Sequence, residues 1–249
     1  MNVISTSYGN DSKALIQWAH ENGLQDVICV YIDTGWSAES WINEIERGEA
    51  LAEKYGFKTL RIKPEVQFEE LMKMKKGFPN QKFQWCSGLL KGIPFLNWID
   101  EIDTENKAVV IVGKRREESK ERAKTPEFIE SSDYHGGRRL WHPLYLHDEV
   151  MRNDLLKRAG QKIIAHRSHE CHPCVNANRE DFKLMSHKDI EKVASLEAIV
   201  GKTMFRPARH NGAKGIVNVV EWAKRGKYIE GQDDLFPDMG CGSPFGCGL

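Results

Sequence analysis

The chain has 249 residues, which is enough for one large domain, or a domain with an appendage, and for a substantial buried core. Hydrophobic residues make up 40% and charged residues 29%, a balance typical of folded proteins rather than disordered ones. The 36 Lys and Arg equal the 36 Asp and Glu, which excludes an overall positive field for nucleic acid but leaves local basic patches possible.

Short apolar runs alternate with helical patterns through the first half of the chain. Residues rich in β-branched side chains predict strands at 2–5, 26–32, 57–62 and 107–112. Apolar residues at helical spacing predict helices between them at 12–21 and 38–55. This alternation predicts an α/β fold, with a parallel sheet and helices on both of its faces.

The second half of the chain has a different pattern. It is charged and helical from about residue 148, irregular around the His- and Cys-rich segment 166–174, and helical again over 188–201. The last 19 residues, 231–249, are rich in Gly and Pro and predict a loop. We therefore predict a nucleotide-binding domain over 1–165 and a small helical, Cys-containing part over 166–249.

The segment Ser5-Thr-Ser-Tyr-Gly-Asn-Asp-Ser12 joins the first predicted strand to the first predicted helix. Ligands of open α/β sheets bind at the carboxyl ends of strands, and a helix start offers backbone N–H groups to an anion. Ser7 and Ser12 can add hydroxyl donors, while Gly9 permits a close backbone approach. The alternative is an ordinary helix N-cap formed by Asp11 or Ser12.

Six cysteines indicate metal binding or thiol chemistry. The N-terminus has neither the basic segment nor the apolar stretch of a secretory signal, and no apolar run is long enough for a bilayer, so we expect a soluble, cytoplasmic protein with reduced thiols. Cys29 lies in a predicted strand and fits a buried core position, and Cys86 is isolated. Cys171 and Cys174 form a C-x-x-C, whose thiolates can bind one metal, and Cys241 and Cys247 are available as further ligands.

Five motifs in order along the chain carry a family resemblance. Ser7–Ser12 resembles the Ser-Gly-Gly-x-Asp-Ser loop of PP-loop ATP pyrophosphatases, with Tyr8 in place of the first Gly. The other four resemble segments of the sulfonucleotide (PAPS and APS) reductases, and they are Asp33-Thr-Gly35, Cys86-x4-Lys91-x2-Pro94, Gly113-x-Arg-x2-Glu-Ser-x2-Arg122-Ala123 and His142-Pro-Leu144. The chain thus resembles the PAPS-reductase-like members of the PP-loop superfamily.

This resemblance implies a Rossmann-like sheet of the adenine nucleotide alpha hydrolase type, with ATP, PAPS or APS over the strand ends. The implied nucleotide-binding residues are Ser5, Ser7, Tyr8, Gly9, Asn10, Asp11, Ser12, Asp33, Thr34, Gly35, Gly113, Arg115, Arg116 and Arg122. Guanidinium forks suit phosphate or sulfate oxygens. The alternative for the arginines is a solvated helix face with internally paired charges.

The resemblance also bears on the cysteines. Cys171 and Cys174 match, in place and spacing, the C-x-x-C that APS-type reductases use for an iron–sulfur cluster, which implies a [4Fe–4S] cluster, with Zn²⁺ as the alternative. Cys241 and Cys247 would complete the ligand set; Cys86 is an alternative ligand or a free catalytic thiol. His166, His169 and His172 flank the site as further ligands or as surface residues. The ending Gly246-Cys247-Gly-Leu249 resembles the C-terminal nucleophile segment of the reductases, without its Glu and His.

Three functions follow. In the first, which the intact Asp11-Ser12 favours, Mg-ATP is cleaved to AMP and pyrophosphate and an acceptor is activated for sulfur transfer from a sulfur donor protein. Mg²⁺ would allow the catalytic Asp11 carboxylate to lie beside a polyphosphate. In the second, Cys247 reduces PAPS or APS to sulfite with thioredoxin; in the third, the chain is a nucleotide-binding module with a structural metal. The basic stretches 73–76 and 206–227 are candidates for a nucleic-acid acceptor, with a solvated surface as the alternative.

Overall fold

A six-stranded sheet forms the centre of the protein in the computed structural model, which describes residues 1–120 and 122–225. The strand order is β3-β2-β1-β4-β6-β5, and all neighbours pair in parallel except β5, which runs antiparallel to β6 at one edge. The strands are β1 Asn2–Thr6, β2 Val27–Ile32, β3 Lys58–Ile62, β4 Val109–Val112, β5 Phe128–Ser132 and β6 Arg138–Trp141.

Helices cover both faces of the sheet. They are α1 Asn10–Glu21, α2 Ile42–Lys54, α3 Phe68–Lys75, α4 Trp85–Ser87, α5 Ile93–Ile102, α6 Glu149–Arg158, α7 Arg179–Lys183, α8 His187–Val200 and α9 Ile216–Lys224, with a π-helical turn over Gly88–Gly92 between α4 and α5. On one face, Ile4 and Ile111 pack against apolar residues of α1, α2 and α6. On the other, Val3 and Val110 pack against α5 through Phe95. The predicted α/β fold with two covered faces is confirmed.

A third apolar cluster joins the C-terminal helices to the first half of the chain. Trp36 and Phe68 lie in it together with Phe182 of α7, Leu196 of α8 and Val219 of α9. The core of residues 166–225 therefore includes side chains from before residue 165. The division of the chain at residue 165 therefore stays a prediction. None of the described helices is long and apolar enough to cross a membrane.

The switch point of the sheet lies between β1 and β4. The chain builds β2 and β3 on one side of β1 and then returns to place β4 on the other side. Because the strands that follow are added on opposite sides of β1, a crevice forms beyond the carboxyl ends of β1 and β4, and this is where open α/β sheets bind ligands. The segments that follow β1 and β4, Ser7–Ser12 and Gly113–Lys114, meet at this crevice.

Candidate nucleotide and thiol site

A cavity of about 320 Å³ occupies the switch point. The segment after β1 contributes Ser7, Gly9, Asn10, Asp11 and Ser12 to its lining, and β1 itself contributes Ser5. Three thiols and five cations line the same cavity, and they are Cys86, Cys171, Cys174, Lys91, Lys114, Arg122, Arg152, Arg167. Three carboxylates, those of Asp11, Glu118 and Glu170, also line it, so the lining itself has more cations than carboxylates, while Arg152 and Arg167 also pair with Glu149 and Asp181 outside it. An excess of cations favours an anionic ligand.

The start of α1 faces the cavity without a side-chain cap. Gly9 is the N-cap residue, in an extended conformation, and no side chain accepts a hydrogen bond from the first turn. The alternative in which Asp11 or Ser12 caps the helix is therefore wrong. Ser12 Oγ instead accepts a hydrogen bond from the Ser7 N–H at 3.1 Å and lies 3.2 Å from Ser7 Oγ. The helix start thus keeps backbone donors for an anion, beside two paired hydroxyls.

Asn10 anchors this helix start to a distant segment. Its Nδ2 donates to the Ile164 carbonyl at 2.8 Å, and its Oδ1 accepts from the Ile164 N–H at 2.9 Å. Both arms of the amide are therefore used, and they hold the chain just before His166 and Arg167, which line the cavity. Asn10 positions one wall of the cavity against another.

The Tyr8 side chain lies in the core and is absent from the cavity lining. Its ring fills the space above Gly48 of α2, where an added Cβ would stand 2.0 Å from Tyr8 Cδ1. The residue has a φ of 56°, a left-handed conformation that is uncommon for a bulky side chain. At this position, where the related loop has Gly, only the Tyr8 backbone can face a ligand.

Asp11 is neutralised by arginine. Its Oδ1 accepts from Arg115 Nε at 2.6 Å and lies 3.7 Å from Arg152 Nη1. Burial alone would lower the pKa of Arg115, but the Asp11 charge and hydrogen bond outweigh this effect and raise it. Arg115 is buried behind Asp11 and is not in the lining.

The remaining predicted nucleotide residues divide into two groups. Thr34 and Arg122 line the cavity, as does Gly113, which passes so close to α1 that an added Cβ would lie 3.1 Å from the Asp11 carbonyl oxygen. Asp33, Gly35 and Arg116 are not in the lining. Asp33 Oδ1 accepts from the Gly35 N–H at 3.0 Å, which is turn chemistry. Arg116 donates to the Thr125 carbonyl at 2.8 Å and covers the Tyr145 ring.

Several lining residues were not singled out from the sequence. Lys91 and Glu170 form a buried ion pair at 2.7 Å, and Lys91 could have been found because it is the lysine of the Cys86–Pro94 motif. Glu118 could have been found in the same way, since it belongs to the Gly113 motif; burial raises its pKa. Arg152 comes from α6 and Arg167 from an irregular segment. No local pattern marks either of them.

Cys86, Cys171 and Cys174 come together at the cavity wall nearest the C-terminal helices. The Cys171 sulfur lies 3.7 Å from the Thr34 hydroxyl, and burial raises the pKa values of Cys86 and Cys171 to about 12. Cys29 is buried in β2, as predicted. Cys241 and Cys247 lie outside the described residues. Within 1–120 and 122–225, no three His, Cys, Asp or Glu side chains are already arranged to hold a metal ion, so the ligand set stays a prediction.

The three histidines form a stack beside the thiols. The rings of His166 and His169 have centroids 4.0 Å apart, and those of His169 and His172 are 4.1 Å apart. His166 lines the cavity, whereas His169 and His172 are buried behind it. The stack packs under Trp41, whose indole N–H donates to the Ser7 carbonyl at 3.0 Å. The histidines therefore help to hold in place the segment Ser7–Ser12, which we call the phosphate loop.

An open, mostly parallel sheet with a serine-rich loop and an uncapped helix start at its switch point defines an α/β protein that presents backbone N–H donors at this point. Residues 1–197 match the phosphoadenosine phosphosulfate reductase domain, and the chain belongs to this family of enzymes. The resemblance read from the sequence is confirmed.

The chain is also similar to individual proteins. Over 121 residues, 49% of this chain, it is 30% identical to an uncharacterized protein of Methanocaldococcus jannaschii, and it spans only 24% of that relative's length. Solved structures to which the chain is similar include the PAPS reductase of Candida auris in a phosphate complex (17% identity, TM-score 0.46, 65% of this chain and 74% of that one). The U34-tRNA thiolase NcsA of Methanococcus maripaludis with its [4Fe–4S] cluster is 15% identical, with a TM-score of 0.48 over 92% of this chain and 74% of that one.

Proposed function

We propose that the protein binds Mg-ATP in the switch-point cavity, cleaves it to AMP and pyrophosphate, and so activates an acceptor for sulfur transfer. One observation carries the proposal, namely that the uncapped start of α1 and the three thiols open on the same cavity. A nucleotide held at the helix start would place its phosphates and a sulfur-bearing group within one enclosed space.

The loop and the cations suit a polyphosphate. The first-turn N–H groups of α1 and the Ser7 and Ser12 hydroxyls would donate to phosphate oxygens. Lys114, Arg122 and Arg152 would offset the charge that develops on the leaving pyrophosphate. Arg115 offsets the Asp11 charge, and Asp11 would be the carboxylate that holds a Mg²⁺ beside the polyphosphate.

The proposed reaction consists of two successive displacements. An acceptor oxygen attacks the α-phosphorus of ATP, the bond to the β-phosphate oxygen breaks, and pyrophosphate leaves with the electron pair. A sulfur nucleophile at the hydrosulfide level, delivered by a sulfur donor, then attacks the activated carbon of the acceptor. The carbon–oxygen bond breaks and AMP leaves. The cavity residues hold the nucleotide and exclude water between the two steps.

We further propose that Cys171 and Cys174 hold a [4Fe–4S] cluster, with Cys86 or one of Cys241 and Cys247 as additional ligands. The donor chemistry fits because three thiols, the soft ligands that iron–sulfur clusters use, line the same cavity. When bound, such a cluster supplies thiophilic iron next to the phosphate loop.

A second candidate is a thioredoxin-dependent PAPS or APS reductase that forms sulfite. The family match favours it, and the excess of cations in the cavity suits a sulfonucleotide as well. Its proposed nucleophile is Cys247, beyond the described residues. The two candidates differ in the ligand they require, which makes binding the decisive measurement.

Titration calorimetry with Mg-ATP and with PAPS distinguishes the candidates. We expect Mg-ATP to bind more tightly, and Ser12→Ala to weaken its binding roughly tenfold through the loss of a hydrogen bond to charged phosphate. Ser131→Ala, at an exposed position, is the matched control. Tighter binding of PAPS, with thioredoxin-dependent release of sulfite and no measurable ATP affinity, would establish the reductase instead.

Metal analysis of anaerobically purified protein tests the thiol centre. We expect brown protein with iron and acid-labile sulfide, lost in Cys171→Ser with Cys174→Ser but kept in Cys29→Ser. Colourless protein with stoichiometric zinc would favour the nucleotide-binding module with a structural metal. Protein without any metal would refute both assignments.

A further inference from the structure

A basic surface lies next to the cavity and takes no part in the proposed chemistry. Residues 71–99 contain no Asp or Glu, although acidic residues number 36 in the whole chain. Four exposed lysines of this stretch, together with Lys202, form what we call the basic surface, and they are Lys73, Lys75, Lys76 and Lys82. An electrically neutral chain has therefore concentrated positive charge in one place.

The structure places Lys202 beside the turn that follows α3. A Cβ added to Gly77 would lie 3.7 Å from Lys202 Nζ, so the turn after α3 touches the turn after α8. None of the five lysines forms an ion pair with a described residue. Other exposed lysines among the described residues also lack an ion pair, so these five are distinguished by their position in or beside the stretch 71–99, which has no acidic residue. Unpaired clustered cations attract an anionic partner.

Phe83 gives this surface an exposed aromatic ring. It is 68% exposed, and it lies between Lys82 and Gln84, a residue of the cavity lining. The ring stands on an ordered turn, because Asn80 and Phe83 exchange backbone hydrogen bonds at 3.1 and 3.3 Å and Asn80 Oδ1 accepts from the Lys82 and Phe83 N–H groups. An exposed ring next to Lys82, one residue from a cavity, suits a partner with both phosphates and flat bases.

We propose that the basic surface binds single-stranded nucleic acid, with phosphates on the lysines and a base stacked on Phe83. An acidic polypeptide would satisfy the lysines but would give the Phe83 ring no stacking partner, so the ring favours nucleic acid. This binding goes beyond the proposed function. Only the further step, in which the bound strand is the acceptor that enters the cavity, rests on that function.

The test is fluorescence anisotropy with labelled single-stranded RNA and DNA of about 20 nucleotides, in the absence of ATP, over a range of salt concentrations. Lys73→Ala with Lys76→Ala should weaken binding roughly tenfold and reduce the log–log salt slope by about 0.7 for each phosphate that is no longer neutralised. Phe83→Ala should also weaken binding about tenfold but leave the salt slope unchanged, because a stack releases no counterion.

The matched control is Lys58→Ala with Lys107→Ala, which removes two exposed lysines at the amino ends of β3 and β4, on the opposite edge of the sheet. These substitutions should leave binding unchanged, and melting curves should show that every variant is folded. Equal binding by all variants, or no binding by the parent protein, would overturn the proposal. If polyglutamate bound tightly and Phe83→Ala did not change its affinity, the proposal would also be overturned, in favour of an acidic protein partner. Because ATP is absent from this assay, a failure to bind nucleic acid would not count against the proposed ATP reaction.

Discussion

At the scale of single residues, Asp11 has two roles, one in the cavity and one in folding, and substitutions can separate them. It lines the cavity at the start of α1, and its Oδ1 is also the partner of the buried Arg115 guanidinium. Arg115 also pairs with Glu117 at 2.9 Å, but a buried guanidinium that loses one of its two carboxylates is less well compensated, so part of the effect of any Asp11 substitution concerns folding. A useful variant removes the negative charge but keeps the oxygen that Arg115 contacts.

Asp11→Asn meets this condition, because the amide oxygen can still accept from Arg115. We expect it to lower the free energy of unfolding by only about 1 kcal/mol while it strongly reduces nucleotide turnover. Asp11→Ala, which removes the acceptor as well, should cost about 2 kcal/mol, since Arg115 keeps Glu117 as a partner. Urea unfolding and calorimetry on both variants check this. If the two variants were equally destabilised, the Arg115 hydrogen bond would not contribute as the 2.6 Å distance indicates.

At the scale of elements, the site depends on how closely β4 approaches α1. Gly113 has backbone atoms of Asp11 as its neighbours, and backbone cannot rotate away as a side chain can. Gly113→Ala should therefore displace the first turn of α1, weaken nucleotide binding about tenfold and destabilise the protein by about 1–3 kcal/mol. Gly88→Ala, where an added Cβ meets nothing within 4 Å, should change nucleotide affinity little. Unchanged affinity in Gly113→Ala, measured by calorimetry, would contradict the close approach.

The packing of the phosphate loop on α2 allows a second test at this scale. Gly48→Ala should destabilise the protein by about 2–3 kcal/mol, because its Cβ would overlap the Tyr8 ring. Tyr8→Gly should also destabilise it, by roughly 3–5 kcal/mol, since a buried ring is removed. In the double variant, the Gly48→Ala cost should largely disappear. A double-mutant cycle measured by urea unfolding checks this, and strictly additive costs would show that the two residues do not meet.

At the scale of the whole molecule, buried histidines make the free energy of unfolding depend on pH. Burial, with Lys114 nearby, lowers the pKa values of His135 and His142 from 6.5 to about 4. The unfolded chain then binds more protons than the folded one between pH 6.5 and 4. Stability is complete above pH 6.5 and falls as the pH drops through this window, by about 1.4 kcal/mol per pH unit for each histidine.

Urea unfolding at pH 7 and at pH 5 measures this dependence. We expect His142→Asn, whose amide can still donate to the Pro126 carbonyl, to reduce the slope by the share of one histidine. His187→Asn, at a position whose side chain is 87% exposed, should leave the slope unchanged. A stability that is flat across this range would mean that the buried imidazoles are already charged or hydrated.

The sequence alone determined strands β1 to β4 of the sheet, its two covered faces and the loop that opens on the switch point. Continuous apolar strands, amphipathic helices and a loop of small hydroxyl residues are local patterns, and each is written in consecutive residues. Motif order added the family. Strands β5 and β6 escaped prediction because their residues, such as Arg138 and Arg139, lack an apolar alternation.

Only the tertiary structure decided which side chains face the cavity. Tyr8 and Arg115 belong to predicted motifs, but their side chains do not line the cavity. The Tyr8 ring packs over Gly48, and the Arg115 guanidinium pairs with the Asp11 carboxylate. Arg152 and Arg167 come from distant segments that packing brings to the site. Packing also brings Cys86 to the same cavity wall as Cys171 and Cys174. Such contacts join residues far apart in the chain, and their energies depend on three-dimensional neighbours that no local pattern encodes.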